Sequence, residues 1–99
     1  MSYATMDSVL KGWAERHSLS LLTLYRGEEV RAFEIPGTMS KRQFQIWIDP
    51  PDSFGKTVVH AWDRKKWKVE YESTPFHLAT ALDRALSEIS KFDSEHRVI

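Results

Sequence analysis

Residues 42–49 read RQFQIWID, and this stretch decides the fold because its side chains alternate in character. Phe44, Ile46 and Ile48 fall on one side of an extended chain, and the residues between them fall on the other. A strand that is apolar on one side only is typical of an antiparallel sheet with one covered face. The sequence therefore predicts a sheet that is packed on one face and open on the other.

Other segments of the chain also have the composition or alternation of strands. They are 19–25, 29–35, 57–62 and 66–72. Short turn sequences such as Arg26-Gly27-Glu28 and 63–65 separate the members of two pairs, whereas 50–55 is a longer proline-containing loop. Short connections favour pairing between consecutive strands, so we predict an antiparallel, meander-like sheet.

Amphipathic helices are predicted at both ends of the chain. Apolar residues recur at helical spacing in 3–17 and again after Thr74-Pro75, where proline suits the first turn. We predict a two-layer α+β fold in the order α-β-β-β-β-β-α, with both terminal helices packed on one face of the sheet. The apolar pattern ends at Phe92, so we expect a single domain over 1–92 and a frayed C-terminal tail over 93–99.

Composition excludes several classes of site. The 99 residues include no cysteine, so disulfides, thiolate nucleophiles and Cys-ligated zinc cannot occur. No apolar run approaches the length of about 20 residues that a membrane-spanning helix needs. The first ten residues lack the pattern of a signal peptide. We therefore expect a cytoplasmic protein without a membrane partner.

Charge is balanced overall but segregated along the chain. Fourteen basic and fourteen acidic residues give a net charge of zero, which argues against a strong general attraction to nucleic acid. The segment 41–68, however, has seven basic and three acidic residues, a net of +4. The segment 69–99 has three basic and six acidic residues, a net of −3.

No motif for catalysis or cofactor binding is found. The chain lacks nucleophile-elbow, phosphate-loop and dinucleotide-binding patterns, and its histidines are not spaced as metal ligands. Glu70 and Glu72 project from the same side of a predicted strand, where solvated carboxylates are the ordinary interpretation. We predict no catalytic residue, metal or cofactor, which favours a non-enzymatic protein. A small enzyme with an unrecognised pocket, using His60 or Glu70, remains the alternative.

The predicted open face is the candidate interaction surface. Trp47 lies on it by alternation, but 57–62 allows two orientations, with either Val59 and Ala61 or the residues flanking them facing the helices. In the first orientation the open face combines aromatic and basic side chains, a composition typical of interaction surfaces. Its residues are then Arg42, Trp47, His60, Trp62, Lys66 and Lys68.

Two partners are compatible with such a surface. We expect a protein-binding domain, with self-association as a homodimer through the open sheet face included, because tryptophan and arginine are enriched in interface hot spots. The alternative is a single-stranded nucleic-acid-binding module, in which bases stack on Trp47 and Trp62 and the backbone follows the basic 41–68 segment. A third interpretation places Trp62 in the core and leaves Trp47 half covered by the Pro50-Pro51 loop or by the stems of lysine side chains.

Overall fold

The computed structural model describes residues 3–98. Within this range the chain forms two α-helices and five strands, joined by turns, loops and one short 3₁₀ turn. In chain order the elements are α1 (Asp7–Arg16), β1 (Leu21–Tyr25), β2 (Glu28–Pro36), β3 (Gln43–Ile48), β4 (Thr57–Trp62), β5 (Lys68–Ser73), the 3₁₀ turn (Pro75–His77) and α2 (Leu78–Glu95).

The strands form one antiparallel sheet in the order β1-β2-β3-β4-β5, which confirms the predicted meander. The pairing register places Ile46 of β3 opposite Phe33 of β2 and Ala61 of β4, and Ala61 opposite Val69 of β5. Since side chains alternate along each strand, this register aligns the apolar positions of neighbouring strands on one face.

Both helices pack against that apolar face, so the predicted two-layer α+β fold is confirmed. Leu10 and Trp13 of α1, and Leu82 of α2, are fully buried in the same cluster as Ile46. Burying side chains of this size stabilises a fold by about 1.5–3 kcal/mol each. The sheet's other side has no helix against it among the described residues, and we call it the open face.

The orientation of β4, which the sequence left open, is fixed by this packing. Val59 and Ala61 are fully buried in the core. Period-two alternation then directs His60 and Trp62 to the open face. Ala61 and Ala85 are both fully buried, and small side chains allow α2 to lie close to β4.

Each helix begins later than predicted. Tyr3 to Met6 form a turn, in which the Tyr3 carbonyl accepts hydrogen bonds from the N–H groups of Met6 and Asp7, before α1 starts at Asp7. At the other helix, Thr74 and Pro75 open a 3₁₀ turn, and the α-helix itself starts at Leu78. Neither start is capped by a side-chain hydrogen bond at its N-cap residue.

The expected fraying directly after Phe92 is not observed, because α2 continues to Glu95. Asp93 is buried, and its carboxylate accepts hydrogen bonds from the backbone N–H groups of Thr38, Met39 and Ser40 and from the Ser40 hydroxyl. Burial acts to raise the Asp93 pKa, but these donors outweigh it and lower the pKa to about 2.

The remaining described tail is also attached, since the Val98 N–H donates to the Met39 carbonyl at 2.8 Å. Ile99, the last residue of the predicted tail, lies outside the described residues. Neither helix of residues 3–98 is long and apolar enough to cross a membrane.

Candidate interaction surface

Trp47, His60 and Trp62 form one aromatic cluster on the open face. Trp47 of β3 lies directly opposite His60 of β4 in the sheet register. Their rings stack with centroids 4.3 Å apart and planes 3° apart. Trp62 meets Trp47 edge-on, with centroids 5.6 Å apart and planes at 73°. The structure therefore brings together these three candidates from the sequence.

Two carboxylates hold His60 in place beneath Trp47. Its Nε2 atom lies 2.8 Å from Asp49 Oδ2, in a hydrogen bond. Its Nδ1 atom lies 2.6 Å from Glu70 Oε2, a close contact that falls outside hydrogen-bond alignment. Both ring nitrogens thus face a carboxylate, and Trp47 covers one ring face. In this position His60 supports Trp47, and a substrate would have to displace a carboxylate to reach either nitrogen.

Trp62 is held by a chain of polar contacts that crosses three strands. Its Nε1–H donates to Gln45 Oε1 at 3.0 Å, and Gln45 Nε2 donates to Glu34 Oε1 at 3.0 Å. The other oxygen of Glu34 accepts from Arg64 Nη1 at 3.4 Å. These contacts fix the indole orientation, and they pair Arg64 with a carboxylate on the same face.

A groove of about 470 Å³ lies beside the tryptophans. The first hairpin contributes four apolar lining residues, Leu22 and Tyr25 from β1 and Val30 and Ala32 from β2. Its other lining residues are Tyr3, Arg31, Glu34, Gln45, Trp47, Ile48, Asp49, Trp62 and Arg64. The volume falls within the range of about 300–1,000 Å³ that is usual for ligand pockets.

Arg42 lies away from this cluster. Its Nη1 atom donates to Asp63 Oδ2 at 3.0 Å, and its guanidinium carbon lies 5.4 Å from the centre of the Phe92 ring, on the helix side. Asp63 is buried, and burial acts to raise its pKa. Hydrogen bonds from the backbone N–H groups of the β4–β5 turn outweigh that effect, so that the pKa is lowered. Arg42 is two residues before Phe44, so alternation puts it on the helix side, and its contacts with Asp63 and Phe92 agree with that position.

The two candidate lysines have different positions. Lys68 lies opposite Trp62 in the register and so belongs to the open face, where its Nζ atom is 3.8 Å from Glu70 Oε2. Lys66 is exposed in the turn before β5, and its backbone N–H donates to Asp63. The six candidates therefore do not form a continuous basic and aromatic patch.

Acidic residues make the open face mixed in charge. Glu34 pairs with Arg64, and Glu70 lies between His60 and Lys68. Glu70 and Glu72 project from the same side of β5, and the neighbours of Glu70 there are His60 and Lys68. The positive charge of the 41–68 segment is thus locally compensated around the tryptophans.

Sequence reasoning missed the part of the groove that β1 and β2 build. Alternation in β2 could have placed Ala32 on the open face, because Phe33 and Ile35 are in the core. Leu22 could not be placed in this way, because the register shifts between Leu22 and Leu24. Asp49, the hydrogen-bond partner of His60, was also missed.

Within residues 3–98, no group of three or more histidine, aspartate or glutamate side chains is arranged to hold a metal ion. His60 contacts its two carboxylates through opposite ring nitrogens, so the three side chains do not converge on one point. No protein-family model, no curated protein and no solved structure matches this chain.

Proposed function

We propose that this domain binds other proteins by accommodating an apolar segment of the partner in the groove of the open face. The observation that carries the proposal is the groove itself, which is mainly apolar and has Trp47 and Trp62 along one wall. Buried aromatic anchors contribute much of the binding energy in protein interfaces. Arg64 and Glu34 at the groove supply polar groups for the main chain of the partner.

The fixed position of both tryptophans supports this function. Trp47 is stacked on His60, and Trp62 is hydrogen-bonded to Gln45. A side chain that is already ordered loses less conformational entropy on binding, so more of the contact energy appears as affinity. Self-association through the open face is a special case of this function. In that case the apolar segment in the groove belongs to a second copy of the chain.

Nucleic acid is a weaker candidate for the same face. Phosphate binding relies on unneutralised lysine and arginine side chains. Here Lys68 lies near Glu70, Arg64 pairs with Glu34, and Arg42 pairs with Asp63 on the helix side. An enzymatic role for His60 is also weaker, because both its ring nitrogens already contact carboxylates.

Selection of peptides from a random library displayed on phage tests the proposal. We expect wild-type protein to enrich peptides with aromatic or branched apolar residues, and Trp62→Ala to weaken their binding by about tenfold or more. Val30→Lys places a charge in the groove without removing a tryptophan and should have a similar effect. Both variants must first give the far-ultraviolet circular dichroism spectrum and cooperative unfolding of the wild type.

Phe54→Ala is the matched control, because it removes an exposed aromatic ring from the loop between β3 and β4. It should leave peptide affinity unchanged. The proposal is overturned if no peptide is enriched, or if the enriched peptides bind folded Trp62→Ala and Val30→Lys as tightly as they bind the wild type.

A further inference from the structure

The outer edge of β1 is free in the structure. β1 pairs with β2 on one side, and no other strand within residues 3–98 pairs with it on the other. Leu24 and Tyr25 are 62% and 53% exposed. An edge strand presents a row of N–H and C=O groups that can pair with another chain.

The two edges of the sheet differ sharply in chemistry. On β5, the opposite edge, every second residue from Lys68 to Glu72 is charged, which is a common protection against pairing between sheets. The sequence of β1 is LLTLY, with no charged residue, proline or glycine. Of the two edges, β1 is therefore the one whose composition suits strand pairing.

The register irregularity of the first hairpin does not disturb this edge. Between the pairs Leu22↔Ala32 and Leu24↔Glu29, β1 has one residue and β2 has two. The extra residue of the bulge is thus on β2, and β1 itself stays a regular strand. Its outer groups can therefore follow an ordinary antiparallel ladder.

The sequence of β1 is also complementary to itself. In an antiparallel pair of two copies centred on Thr23, each Leu22 lies opposite Leu24 of the second copy, and each Leu21 lies opposite Tyr25. Every such cross-strand pair is apolar or threonine–threonine, and no like charges meet. We propose that this protein forms a two-fold symmetric dimer in which the β1 edges of two copies pair antiparallel about Thr23.

This dimer joins the two sheets edge to edge and leaves both open faces accessible. Leu22 lines the groove and also lies on β1, so the two grooves lie beside each other across the two-fold axis. The interface is centred on one short strand, which places it at the small end of the range for specific association. We therefore expect a reversible dimer whose population rises with protein concentration.

Sedimentation velocity over a concentration series measures this equilibrium directly. We expect the wild type to shift from the 11.6 kDa monomer toward twice that mass as concentration rises. Leu24→Lys places a charge at the edge, outside the groove lining, and should raise the dimer dissociation constant by about tenfold or more. Phe54→Lys, at an exposed position in another part of the chain, should leave it unchanged.

Disulfide trapping tests the register. The chain has no cysteine, so Thr23→Cys introduces a single thiol that faces its own copy across the two-fold axis. Mild oxidation should cross-link it into a dimer much faster than it cross-links Ser53→Cys, which has its thiol in an exposed loop. The proposal is overturned if the wild type is monomeric at every concentration.

The proposal also fails if a dimer survives Leu24→Lys, or if Thr23→Cys cross-links no faster than Ser53→Cys. A dimer that Trp62→Ala abolishes and Leu24→Lys leaves intact would assign self-association to the open face instead. The peptide-binding test is independent of these results, since it can succeed with monomeric Leu24→Lys protein.

Discussion

The indole of Trp47 lies flat on the imidazole of His60, with ring centroids 4.3 Å apart and planes 3° apart. The two residues are directly opposite each other on β3 and β4. Asp49 and Glu70 contact the imidazole through its two nitrogens, so the indole rests on a side chain that is itself fixed. This stack gives the open face a rigid aromatic wall.

The stack predicts that Trp47 contributes measurably to stability. Trp47→Ala should lower the free energy of unfolding by about 2–3 kcal/mol, less than a fully buried tryptophan because Trp47 is only half-buried. Trp47→Phe keeps a ring over His60 and should lose roughly half as much. Urea denaturation at neutral pH measures both values. Equal losses for the two variants would show that ring stacking on His60 does not account for the contribution of Trp47 to stability.

Alanine should have opposite effects at two glycines, Gly37 in the loop before β3 and Gly12 in α1. A Cβ atom at Gly37 would lie 2.7 Å from the Arg42 carbonyl oxygen and 2.9 Å from Phe44 Cε2. Gly37→Ala should therefore lower the free energy of unfolding by about 1–3 kcal/mol. A Cβ at Gly12 meets no described atom within 4 Å, so Gly12→Ala should stabilise α1 by about 0.5–1 kcal/mol.

Thermal unfolding distinguishes these two glycines in one experiment. The melting temperature should fall for Gly37→Ala and rise for Gly12→Ala. A rise for Gly37→Ala would mean that the loop does not approach β3 as closely as described.

The carboxylate of Asp93 predicts a loss of stability in acid. Its folded-state pKa of about 2 is below the ordinary value of 3.8, so the ionised form stabilises the folded state. This contribution, about 2 kcal/mol, is complete above roughly pH 4–5 and is lost as pH falls toward 2. Urea unfolding at a series of pH values should therefore show Asp93→Asn losing its disadvantage to wild type in acid.

Glu95→Gln is the control for this pH dependence, because it removes an exposed carboxylate from the same end of α2. Its unfolding free energy should follow that of the wild type at every pH. A stability difference between wild type and Asp93→Asn that is constant from pH 7 to pH 2 would contradict the role assigned to Asp93.

The distribution of charge predicts weak or no binding of single-stranded nucleic acid. Lys68 and Arg64, the basic residues near the tryptophans, already have acidic neighbours. Fluorescence anisotropy with an oligothymidine should show no saturable binding at low ionic strength. Tight binding that weakens steeply with salt and is lost in Trp62→Ala would instead favour the nucleic-acid alternative.

The sequence predicted the fold well where the alternation within one strand is enough to identify its buried face. Alternation in β3 and β5 identified a covered face, and short turns identified the order of pairing. β4 was ambiguous, because Val59 and Ala61 alternate with His60 and Trp62, and either set could be buried. The choice depends on the close packing of α2 against the sheet, which no local pattern encodes.

The candidate site was predictable only in part for the same reason. The tryptophans followed from alternation, but the groove also depends on the bulge in the first hairpin. Arg42 was placed with them against the alternation, because it is two residues before Phe44 and so falls on the side of the helices, where the structure has it. The apolar pattern of the last helix ends at Phe92, which made Asp93 look like the start of a frayed tail. Its hydrogen-bond donors at 38–40 are distant in the sequence, and they make Asp93 a fixed part of the fold.

The indole N–H signals of the four tryptophans test the central claim, that the open face is the binding surface, most directly. Trp47 and Trp62 line the groove, whereas Trp13 and Trp67 lie on the helix side. In a ¹H–¹⁵N spectrum titrated with a selected peptide, we predict shifts of the Trp47 and Trp62 signals and constant Trp13 and Trp67 signals. Shifts confined to Trp67 or Trp13, with Trp47 and Trp62 unchanged at saturation, would contradict the account.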